Sequence, residues 1–255
     1  MKLLFSLILA VAILFAPLYT TLAQQLNGYD IMKRVDERII PHDIVADMTM
    51  NIINDKEQAR ERKVHSFRMG DDKSIMWFQA PADIKGSSFL RLSYDDRDDD
   101  MWIYLPAFGK VRRIATHARN GNFMGSDFTY EDMGDRKLDD YTHTLLGEEK
   151  LGERDCWTVE SIPREGLATD YGKRVMWIWK EKYEPLKGEL YDKSLKLRKK
   201  LSFTLTPIKN YWVAGKIVME NLKTGGRTEL MFDNIQVDTG LKESLFQENE
   251  LKKIH

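Results

Sequence analysis

Apolar and polar positions alternate along most of this chain. Ala46, Met48, Met50 and Ile52 alternate with Asp47, Thr49 and Asn51, and His65, Phe67 and Met69 alternate with Val64, Ser66 and Arg68. The same two-residue period returns at Ser88–Tyr94 and at Leu201–Leu205, and Cys156–Ile162 reads as a further strand. The period predicts β-strands with one face turned inward. Ile217–Leu222 and Thr228–Ile235 flank Lys223-Thr224-Gly225-Gly226 and predict a hairpin. Only two stretches predict helix. One begins at Asn27, a capping residue, carries Ile31, Val35 and Ile39, and stops at Pro41. The other is short, Lys242–Leu251. Many strands with short turns and few helices predict an antiparallel sheet, curved or closed into a barrel.

Several strands break the alternation by being apolar on both faces: Ile75–Phe78, Met101–Leu105, and Val175–Trp179. A sheet with one wet face alternates cleanly. Doubly apolar strands suit either a sandwich core or a curved sheet that packs a helix on one side and lines a cavity. The abundance of Met, Trp and Phe fits an adaptable apolar surface, and both readings remain open on pattern alone.

The ends and composition set the compartment. Lys2 precedes an apolar run, Leu3–Phe15, then Pro17 and small residues before Gln24. This predicts a cleavable signal peptide over residues 1–23, hence export, and a mature single domain over 24–255. The 255-residue chain has a formal net charge of −1 and mixed signs, which argues against nucleic acid as a partner. Cys156 is the single cysteine, so no internal disulfide is available. Beside Trp157 and Val159 it reads as a small buried hydrophobe.

Catalytic signatures are missing. The five histidines have no metal spacing, and no nucleophile elbow or phosphate loop occurs. The run Asp95–Asp100 lacks the glycine and closing glutamate of a calcium loop and reads as a solvated turn. No enzyme, metal or cofactor is expected. The basic stretch Lys110–Ile114 is either a solvated loop or a place for a lipid headgroup.

Motifs in the middle of the chain carry a resemblance. Pro81–Leu90, Trp102–Ala107, Val111–Ile114 and Phe123–Asp132, with Lys242–Phe246 near the end, resemble the LolA/LolB-like superfamily of outer-membrane lipoprotein-sorting proteins. The closer likeness is to the LolA-like periplasmic subgroup associated with RND-type exporters. The resemblance implies a mainly β (α+β) fold, a half-open antiparallel β-barrel with a few helices covering its concave face. It places the exported protein in the periplasm and implies a non-enzymatic carrier, or chaperone, for acyl chains of lipoproteins or other lipids, moving them toward the outer membrane with an inner-membrane RND-type or other transporter. A periplasmic sensor of lipoprotein or envelope stress is the alternative. The expected cavity residues are Met48, Met50, Ile52, Phe67, Met69, Trp77, Leu90, Trp102, Trp177 and Trp179. Phe123, Met124, Phe128 and Tyr130 are expected to form a lid, with Arg112 and Arg113 meeting a headgroup or the lid's acids. The family's lid-holding Arg has no matched position; Arg68 and Arg91 are strand candidates.

Overall fold

The computed structural model describes residues 26–253. The predicted signal peptide lies outside them. One helix, α1 (Gly28–Asp36), opens the described chain, and Asn27 caps it by accepting from the Asp30 amide at 2.9 Å. Ile39, expected on the same stripe, lies beyond the helix and is exposed. Thirteen antiparallel strands follow: β1 (Asp43–Ile53), β2 (Ala59–Met69), β3 (Lys73–Ala80), β4 (Ser88–Leu92), β5 (Asp100–Leu105), β6 (Lys110–Arg113), β7 (Tyr141–Leu151), β8 (Arg154–Pro163), β9 (Tyr171–Trp179), β10 (Glu184–Asp192), β11 (Leu197–Ile208), β12 (Tyr211–Asn221) and β13 (Gly226–Val237).

They form one sheet in the order β6-β5-β4-β3-β2-β1-β13-β12-β11-β10-β9-β8-β7. The first and last strands do not pair, so the sheet is an open barrel with edges at β6 and β7. The predicted hairpin is β12–β13, its turn closing at the Asn221–Gly226 pair. Three strands escape the periodicity argument. β6 is four residues of mostly basic edge, β7 reads polar at Gly147-Glu148-Glu149-Lys150, and β10 carries Pro185 and Gly188. Neighbouring strands, not their own apolar pattern, hold them in place.

Register assigns the faces. On the concave side Met48, Met50 and Ile52 of β1 meet Val64, Met76, Phe78, Phe89 and Met101 from β2 to β5, and Leu190, Leu201, Met219 and Leu230 from the far strands. Helix α1 covers the concave side of β8 and β9, where Ile31 and Val35 pack on Trp157, Val159, Met176 and Ile178. Gly28 sits so close to β7 that a Cβ there would lie 2.6 Å from the Thr144 amide. The convex side of β3–β5 is also apolar, and the C-terminal segment covers it.

That segment is not the single helix expected over Lys242–Leu251 but two short 3₁₀ turns, Glu243–Leu245 and Glu248–Lys252. They bring Phe246 and Leu251 onto Met69, Ile75, Trp77 and Leu90. Asp43 anchors its start. This carboxylate is 1% exposed and accepts from Thr239 (N 2.7 Å, Oγ1 2.6 Å), Gly240 N (2.9 Å) and Leu241 N (3.1 Å). Burial opposes its ionisation, but these donors outweigh it and hold its pKa well below the usual carboxylate range. Its stabilising contribution is present at neutral pH and is lost as pH falls. Asp43→Asn should cost about 1–3 kcal/mol in urea unfolding and speed proteolysis between β13 and the first turn. Unchanged cleavage would show that the apolar contacts alone hold the segment.

Candidate functional site

The chain leaves β6 at one edge of the sheet and must enter β7 at the other. Residues 114–140 make that crossing over the open concave side, and they carry the segment Gly121–Met133. Phe123 is fully buried, edge-on to Phe89 at 5.0 Å and to Tyr130 at 5.6 Å between ring centroids. Phe128 is buried in the same core, with Met124 and Tyr130 partly so. Gly125 at φ 71° makes the tight reversal that lets Phe123 N donate to Phe128 O at 2.7 Å.

Three acids pin this segment across the barrel. Asp127 accepts from Thr228 Oγ1 of β13 at 2.8 Å and from Asn221 Nδ2 of β12 at 3.1 Å. Glu131 accepts from Arg174 Nη2 of β9 at 2.8 Å and from Thr169 Oγ1 at 2.5 Å. Asp132 accepts from Lys199 Nζ of β11 and from Tyr171 Oη of β9, each at 2.9 Å. Burial works against the Asp132 charge, but Lys199 and Arg174 more than offset it and lower its pKa. These acids therefore do not pair with Arg112 or Arg113. Arg112 stacks on Phe108 at 4.7 Å, and Arg113 bonds Asp100 on the convex side of the edge. The segment's acids point inward, away from that edge.

Between this plug and α1 lies a cavity of about 380 Å³, within the usual range of roughly 300–1,000 Å³ for small-molecule sites. Met32 and Val35 of α1 roof it, and Met176 and Ile178 of β9, Phe203 of β11 and Ile217 of β12 make its apolar wall. Its other wall is charged, with Asp36, Arg38, Arg68, Arg91, Arg136 and Arg174. Arg38 bonds Glu184 at 3.1 Å and reaches Asp71 at 3.5 Å. His143 sits at the margin between Ser161 Oγ (2.8 Å) and Leu138 O (3.0 Å), and burial lowers its pKa. Among the described residues no cluster could hold a metal.

The residues expected to line a cavity divide between the two faces. Met48, Met50 and Ile52 are concave, packed under the plug. Phe67, Met69, Trp77, Leu90 and Trp102 are convex, beneath the C-terminal turns. Trp177 and Trp179 are also convex, with Cys156 beside them. On β9 the concave residues are their neighbours Arg174, Met176 and Ile178. A shift of one residue exchanges the two sets. Arg174 carried its own signal, a charge in phase with Met176 and Ile178.

A family model described as "Uncharacterized protein" matches residues 70–253. The fold matches a DUF1329 family protein from Desulfovibrio piger with TM-score 0.83 and 32% identity, over 88% of this chain and 97% of that one. It also matches a domain from Vibrio parahaemolyticus named for outer-membrane lipoprotein sorting, with TM-score 0.81 and 35% identity, over 89% and 98%. The chain belongs to the DUF1329 family. A LolA superfamily protein from Nitrosomonas europaea shares the fold at 19% identity, TM-score 0.69, over 88% of this chain and 99% of that one. No curated protein matches the sequence. The open, mostly antiparallel sheet with its one described helix matches a LolA-like fold.

Two measurements test the site's construction. Phe123→Ala should cost about 3–5 kcal/mol in chemical denaturation; a loss under about 1 kcal/mol would show that the plug is peripheral to stability. Burial, helped by nearby Asp135, pushes the Asp36 carboxyl up to about 6 from 3.8. A raised acid favours its protonated form in the folded chain, so its contribution is full below 3.8 and is lost as pH rises through about 6. Asp36→Asn should therefore gain in Tm over the wild type across that window. Parallel Tm curves would mean that Asp36 titrates normally.

Proposed function

We propose that this protein is a non-enzymatic periplasmic carrier. It holds acyl chains of lipoproteins or other lipids between α1 and the sheet and passes them toward the outer membrane. The observation that carries the reading is the cavity itself, apolar on its sheet side, charged at its margin, and roofed by one short helix. The LolA-like fold and the sorting name of the Vibrio relative support it. The signal-peptide pattern supports export, and an inner-membrane transporter of RND type is the partner the resemblance suggests.

Magnitudes favour α1 as the moving part. Its buried side chains are Ile31 and Val35, worth about 1.5–3 kcal/mol each. An acyl chain contributes about 0.8 kcal/mol per buried methylene, so a handful of methylenes offsets lifting the helix. The plug is held by three buried acids and a ring of aromatics, and displacing it costs far more. A chain entering under α1 exchanges one apolar contact for another, which lets a carrier bind and still release.

Gently purified mature protein should yield lipid in an organic extract analysed by mass spectrometry, and the delipidated form should bind a fluorescent acyl probe. Ile217→Trp, which fills part of the cavity, should weaken probe binding about tenfold, the worth of roughly two methylenes. A lipid-free protein that also ignores the probe would overturn the carrier reading.

A further inference from the structure

Arg174 is 2% exposed, and its side chain borders the cavity. Nη2 is committed to Glu131, and the guanidinium lies 4.5 Å from the Tyr171 ring centroid. Its Nε and Nη1 have no hydrogen-bond partner among the described residues. An unmet buried donor costs about 1–3 kcal/mol, and more when charged. The neighbouring cations are also underused. Arg91, 7% exposed, donates to Asp71 O and lies 3.8 Å from Asp99, and its Nη1 makes no hydrogen bond. Among the described residues Arg68 has one ion pair, to Asp71 at 3.9 Å. Arg136 lines the cavity without an ion pair among the described residues.

Net charge does not mark this wall. Asp36, Asp71, Asp132 and Asp135 share it, and Glu131, Asp99 and Glu184 stand behind it. Spare donors mark it. Asp132 is taken by Lys199 and Tyr171, and Asp71 by Arg38 and Arg68. The guanidinium nitrogens are left over, and their fork geometry suits phosphate or carboxylate. β9 then sets the axis. Arg174, Met176 and Ile178 follow one another on the concave face and span about 13 Å, charged end first, with Phe203 and Ile217 alongside.

We propose that Arg174 and Arg136 form an anion subsite at the head of the cavity, and that it takes the phosphate or carboxylate headgroup of an acidic amphiphile whose chain lies along Met176 and Ile178. This rests on the carrier reading and narrows it. The acylated terminus of a lipoprotein carries amide and ester groups but no acid, so a fatty acid or an anionic phospholipid fits the subsite better.

The test uses delipidated mature protein with a fluorescent polyene fatty acid and its methyl ester, above the acid's titration range. Wild type should prefer the acid by at least about tenfold, the worth of one charged hydrogen bond. Arg136→Gln should bring the ratio close to one while ester binding is unchanged. Arg174→Gln should do the same; if that buried variant fails to fold, the exposed Arg136 variant carries the result. Equal binding of acid and ester by wild type overturns the subsite and leaves the carrier reading intact. Failure of both probes sinks both. Inorganic phosphate displacing the acid probe at comparable concentration would assign the site to a free anion and overturn the headgroup assignment.

Discussion

The connection between β6 and β7 constrains everything else in this molecule. The two strands lie at opposite edges of an open sheet, so the chain between them must cross the concave side. An unpaired backbone over an apolar surface must find partners for its polar groups. Here it folds on itself, with 3₁₀ turns and the Asn122–Thr129 bridge, and sends Phe123 and Phe128 inward. The crossing fills the half of the barrel under β1–β5. It reaches the start of β9 at Tyr171 and Arg174 but leaves Met176, Ile178 and β8 to α1.

The two covers differ in strength, and the difference carries the functional argument. The crossing segment is fastened by Asp127, Glu131 and Asp132, each satisfied by donors from strands on the far side. Removing one partner from such a buried pair is expensive. Helix α1 rests on the buried Ile31 and Val35, the half-buried Met32, a close approach at Gly28 and two exposed hydrogen bonds, Tyr29 to Asp139 and Arg34 to Tyr183. In the carrier we propose, one firm wall and one weak one would let an apolar surface be shielded and later exposed. The same Glu131 that fastens the plug holds one edge of Arg174 and leaves the other facing the cavity.

Much of this was legible in advance. Alternation and doubly apolar runs together located ten of the thirteen strands, the capping Asn27 located α1, and a handful of central motifs indicated the family and its open barrel. The strands that were missed owe their conformation to neighbours: β7 and β10 are too polar to announce an inward face, and β6 is too short. The Lys242–Leu251 segment carries Leu245, Phe246 and Leu251 at no regular helical spacing, and it settles as two turns against a sheet face with its start held by the Asp43 carboxylate.

The doubly apolar strands show where sequence stops and tertiary structure begins. Composition alone determined that β3, β5 and β9 bury both faces, because a side chain such as Trp77 or Ile178 is costly to leave in water. Which face looks into the barrel is a matter of register against the next strand, and adjacent residues exchange roles with a shift of one. Only the assembled sheet decided that Met176 and Ile178 face the cavity while Trp177 and Trp179 pack outside. Only the crossing decided that the acids of Gly121–Met133 meet Arg174 and Lys199, residues far away in the chain. Pattern is a property of single strands; a binding site depends on how strands from both halves of the chain come to share one face.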